Sequence, residues 1–149
     1  MSARVNYGTH PAAIAKVLDA VGDAAMVLSY EEDRAFAAVS LNRFGAIGSV
    51  RLDWHGVEVL ERSDAFDGGQ LRRMVRGYAD ASELAVVFWG NLAVPSVALE
   101  AGMVAVHAET VLEYSAECWI YLVDSGVLIE FQDGEGFTAG RVPGAPGGP

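Results

Sequence analysis

The chain has 149 residues, 52% hydrophobic and 20% charged, which suits one domain with a real core and excludes a disordered chain. Its formal net charge is −10, unevenly placed: residues 1–76 hold ten acids and nine bases, whereas residues 77–149 hold ten acids and one base, Arg141. A one-sign field of that kind repels nucleic acid and anionic lipid and attracts basic protein surfaces.

In chain order, Thr9-His10-Pro11 opens a helix whose apolar face is Ile14, Val17, Leu18 and Val21, ending at Gly22. Ala25–Tyr30 reads as a first strand, Glu31–Arg34 as a charged turn, and Ala35–Leu41 as the returning strand. Ile47–Trp54 alternates, and after the His55-Gly56 turn Val57–Leu60 follows, with Glu58 and Glu61 facing water. These four strands are expected to form an antiparallel meander with one wet face.

Ser63–Gly69 is a polar connection. Gln70–Ala79 is a helix with the stripe Leu71, Met74, Val75 and Tyr78. Leu84–Trp89 is a buried strand, Asn91–Ser96 a loop, and Val97–Leu99 a brief strand. Phe88–Pro95 places large apolar residues in a loop beside Asn91; covering the end of the core is the plainer reading and an interaction surface the alternative. Ala101–Ser115 is a third helix with Val104, Ala108, Val111 and Leu112 inward and Glu109 and Glu113 outward.

The stretch Cys118–Phe131 is the centre of the fold. Two β-branched and aromatic runs flank Asp124-Ser125-Gly126, a hairpin signal. Trp119, Tyr121 and Val123 alternate with Ile120 and Leu122, so both faces are apolar and the pair is covered on both sides. Asp133–Gly136 is a second turn and Phe137–Val142 closes the sheet. The expected architecture is a single α+β domain over residues 1–142, a mostly antiparallel sheet with about three helices, and a Gly/Pro-rich tail at 143–149.

Chemistry-bearing motifs are sparse. Asp53-Trp54-His55 could supply an acid–base pair, but a surface turn is the plainer reading. His107 falls near the apolar face of the third helix, where a partly buried histidine is expected rather than a ligand. Cys118 follows Glu117 and reads as a small buried hydrophobe. Gly134–Gly140 lacks the Lys-Ser/Thr of a phosphate loop. No His or Cys spacing calls for a metal, and no motif calls for a cofactor. The N-terminus shows no apolar leader, a lone cysteine asks for no oxidising compartment, and Leu84–Leu99 is shorter than the roughly 20 residues of a membrane helix. A cytoplasmic protein without nucleic-acid or membrane partners is the expectation.

In size and acidity the chain resembles the small α+β proteins that neutralise bacterial toxins, a likeness of composition rather than of motif. The leading expectation is a non-enzymatic, immunity-type inhibitor of a basic protein, with contacts at Glu100, Glu109, Glu113 and Glu117 around the third helix and at Asp124, Asp133 and Glu135 in the hairpin turns. The alternative is a small enzyme or ligand-binding domain whose pocket uses Asp53, His55 or His107. A third reading is a subunit whose acidic face meets a copy of itself.

Overall fold

A computed structural model describes Asp19 and residues 25–47, 51–90, 95–113 and 116–143. The helix expected from Thr9 to Gly22, apart from Asp19, lies outside the described residues, as do Asn91–Val94, Ser115 and the tail beyond Pro143. The elements are β1 (Met26–Val27), α1 (Tyr30–Ala38), a 3-10 turn at Leu41–Arg43, β2 (Gly45–Ile47), β3 (Arg51–Asp53) and β4 (Val59–Ser63). They continue with α2 (Gly68–Tyr78), β5 (Leu84–Trp89), β6 (Val97–Glu100), α3 (Ala101–Val106), α4 (Ala108–Val111), β7 (Glu117–Leu122), β8 (Val127–Gln132) and β9 (Gly136–Arg141).

Seven strands form one antiparallel sheet in the order β1-β6-β5-β7-β8-β9-β4, and β2 and β3 pair separately. The fold is therefore α+β. The hairpin β7–β8 is central, as its two apolar faces require. Cys118, Ile120, Leu122, Val127, Ile129 and Phe131 face one core, shared with Leu71, Met74 and Val75 of α2 and with Val104, Ala108 and Val111 of α3 and α4. Trp119, Tyr121 and Leu128 face a second core with Leu28, Phe44, Trp54, Val86 and Phe88. Gly126 closes the hairpin turn at φ +66°, the left-handed region that glycine enters freely.

The N-terminal half departs from the expected meander. Where a turn and a returning strand were expected at Glu31–Leu41, the chain forms α1. Ser29 accepts from the Glu32 N–H while the Glu32 carboxylate accepts from the Ser29 N–H, a capping box. Glu31, Glu32 and Asp33 then occupy the positive end of the helix dipole. The run Ile47–Trp54 is likewise two elements, with Gly45, Ala46 and Ile47 opposite Asp53, Leu52 and Arg51. The outer strands find distant partners: β1 pairs with β6 and β4 with β9.

Helix α2 begins two residues before its expected start, because Asp67 caps it by accepting from the Gln70 N–H. The expected third helix divides at His107 into α3 and α4. In an unbroken helix the Ala105 carbonyl would accept from the Glu109 N–H. Here the Arg72 Nε–H takes that carbonyl at 2.9 Å, and its guanidinium also pairs with the Glu109 carboxylate. Gly68 fits this contact, since a Cβ there would lie 2.6 Å from the Glu109 side chain.

Candidate functional site

One face of the sheet carries a polar interruption. Register places Trp119, Glu130, Thr138 and Arg62 in one row across β7, β8, β9 and β4. Glu130 is 5% exposed. Its Oε2 accepts from the Leu52 N–H at 2.8 Å and from the Trp119 Nε1–H at 2.9 Å, and its Oε1 accepts from the Trp54 Nε1–H at 3.0 Å. These are neutral donors. Ion pairs among the described residues include Arg72–Glu109, Arg73–Glu61 and Arg141–Glu58, none of which involves Glu130.

Two glycines shape the surroundings. A Cβ at Gly140 would lie 2.7 Å from the Trp54 ring and 2.7 Å from the Glu58 carbonyl oxygen, so only a bare Cα lets that indole lie over β9. Gly136 has φ +124°, and a Cβ there would lie 1.8 Å from the Ser63 carbonyl oxygen. The Phe44 ring meets Trp54 edge-on at 4.9 Å between centroids, in the same buried cluster.

Beside Glu130 opens a cleft of about 690 Å³. Asp53 and His55 line it from β3 and the following turn, Arg62 and Asp64 from β4 and its end, and Glu135 and Thr138 from the last hairpin. Asp53 accepts from the His55 backbone N–H at 2.9 Å, which fixes the turn. The cleft thus gathers Asp53 and His55 with Glu135, residues the sequence suggested for two different functions. His107 stands apart, half-buried at the α3–α4 junction.

The other acidic candidates do not share one place. Glu100 ends β6, opposite Leu84, at the same end of the sheet as the β7–β8 turn that carries Asp124. Glu117 pairs in register with Gln132 at the other end, beside the turn that carries Asp133 and Glu135. A six-residue strand separates these ends by about 20 Å. Glu109 and Glu113 are exposed on and just after α4. The Glu109 carboxyl is held below its usual range by its own backbone N–H and by Arg72.

Glu130 is the site residue that the alternation pattern alone does not reveal. Its signal is an acid at a core-facing position of a central strand, in a chain with three tryptophans whose N–H groups need acceptors. Glu83 is a second buried acid, bonded to the Ser125 N–H at 2.6 Å and hydroxyl at 2.7 Å, and it fixes the β7–β8 turn. Cys118 is fully buried and its thiol is pushed up by that burial, as its reading as a hydrophobe requires. Among the described residues no group of His, Cys, Asp and Glu side chains is arranged to hold a metal ion, and no helix is long and apolar enough to cross a membrane. No family model matches the chain, and no curated protein matches it.

Proposed function

We propose that the chain is a non-enzymatic binding protein that takes a basic protein partner at the cleft, in the manner of an immunity-type inhibitor working in the cytoplasm. The observation that supports this reading is the charge of the cleft: Asp53, Asp64, Glu130 and Glu135 line it against one guanidinium, that of Arg62. Glu117 and Asp133 flank the same end of the sheet, and Glu109 and Glu113 extend the acidic surface on the helical side. Glu100 and Asp124, at the far end, contribute to the long-range field that steers association.

The test is capture of the partner from the native host, followed by association kinetics at rising salt. Association is expected to slow with salt while dissociation changes less. Reversing Asp64 and Glu135 to Lys should cut the on-rate most, Glu109 and Glu113 next, and Glu58 and Glu61 least. A partner that binds the Asp64 and Glu135 reversal as fast as the parent protein would overturn the reading.

The second reading, a small enzyme or ligand-binding domain, draws on the convergence of Asp53, His55 and Glu130 in one cleft. It is separated by His55→Ala, which would abolish turnover of a substrate yet leave a protein partner's affinity nearly unchanged.

A further inference from the structure

We infer that the floor of the cleft is a receptor for a guanidinium group, an arginine side chain of the basic partner, with the Glu130 carboxylate as its direct acceptor. This rests on the reading of the chain as a binding protein and goes beyond it in naming the group bound and the atom that receives it.

Glu130 is incompletely neutralised. A carboxylate offers about four acceptor sites. Glu130 fills three, two on Oε2 and one on Oε1, all with neutral N–H donors. A buried charge is costly unless a counter-charge offsets it, and among the described residues no cation is bonded to Glu130. Yet Glu130 lines an open cleft. Arg62 lies in the same row but two strands away, roughly 10 Å at sheet spacing, with Thr138 between them.

The cleft also selects among cations. It has the volume of a small-ligand site. Trp54 contributes apolar surface to its lining, and Thr138 lies beside Glu130 in register. A guanidinium is planar, weakly hydrated and able to donate several N–H bonds at once, so it tolerates such a lining better than a compact ammonium. Asp53, Asp64 and Glu135 at the rim add attraction without needing contact.

The protein carries its own reporters. Trp54 and Trp119 donate to Glu130, whereas Trp89 donates to the Val111 carbonyl on the opposite face. Titrating the full chain with ethylguanidinium at constant ionic strength should move the Trp54 and Trp119 indole N–H resonances and leave Trp89 in place. Tetramethylammonium, equal in charge but without N–H donors, should move none of them. Glu130→Gln should weaken the effect by about tenfold or more, the usual worth of a charge-assisted hydrogen bond, with Trp89 reporting that the fold persists. If that variant fails to fold, Thr138→Phe decides, because it fills the floor beside Glu130 and leaves the carboxylate in place. Equal shifts at all three indoles, equal action of tetramethylammonium, or undiminished binding to Thr138→Phe would each overturn the inference. Partner binding that needs Asp64 and Glu135 but ignores Glu130→Gln would sink the guanidinium site alone. Partner binding that ignores the Asp64 and Glu135 reversals would sink the reading beneath it.

Discussion

The two faces of the central hairpin are built from the same backbone and solve different problems. On the helical face Ile120, Leu122, Val127 and Ile129 meet α2, α3 and α4 in an unbroken apolar layer. On the other face the apolar set of Trp119, Tyr121 and Leu128 is interrupted at Glu130, and the covering layer is the short helix α1, a short hairpin and irregular chain. The first face holds the molecule together without direction. The second trades some of that stability for a directional network, in which a single carboxylate ties β3, Trp54 and Trp119 to one point. Shape at the cleft follows from hydrogen-bond geometry, while cohesion follows from area.

Three measurements sharpen this contrast. The largest effect is expected on the helical face: Ile120→Ala, at a fully buried position, should cost about 2–5 kcal/mol in denaturant unfolding. The fluorescence of the cleft should change little below the transition. A loss under about 1 kcal/mol would mean that the helical layer collapses around the void. Next comes Glu130→Gln, expected to cost about 1–3 kcal/mol, because an amide presents one acceptor oxygen to three donors and sets its own N–H groups against the indoles. A variant as stable as the parent would show that the network contributes shape alone.

The smallest effect lies at the edge of the helical layer. The Tyr78 hydroxyl donates to Glu61 at 2.7 Å. Burial, then that carboxylate, pushes the Tyr78 phenol up to about 12. The unfolded chain releases this proton near pH 10, earlier than the folded one, so stability is fully present below pH 10 and is lost as pH rises toward 12. Tyr78→Phe should flatten that alkaline decline. Burial alone would raise Glu61, but Tyr78 and Arg73 outweigh it and hold the carboxyl below its usual range. Its share is therefore present above the ordinary carboxylate range and lost as pH falls through the lowered value. The cleft should ignore both changes.

What the sequence made legible follows the same division. The β7–β8 hairpin, the bounded apolar run of β5 and the helical stripe of α2 all announce themselves through local pattern, and the structure keeps them. The N-terminal half was misread for two reasons. The apolar run from Ala35 to Leu41 looks like a strand, but the Ser29–Glu32 capping box and three acids in the first turn favour a helix. The strand pairings β1–β6 and β4–β9 join segments far apart in sequence, and no local pattern records which edge a strand will reach. Glu130 was hidden for a related reason: an acid in an apolar strand makes physical sense only once Trp54, 76 residues away, donates to it.

The sheet order has a consequence for how the molecule behaves in a crowd of its own kind. A sheet whose central strands are apolar on both faces is a template for runaway strand addition if an edge lies open. Among the described residues the two outermost strands are poor templates. β1 is two residues long. β4 carries a register break between Val59 and Glu61, and Glu61 and Arg62 follow in its ladder. An incoming strand would have to match that irregularity and desolvate both charges to extend the sheet, so the edges resist fibril-like growth even though the interior would favour it.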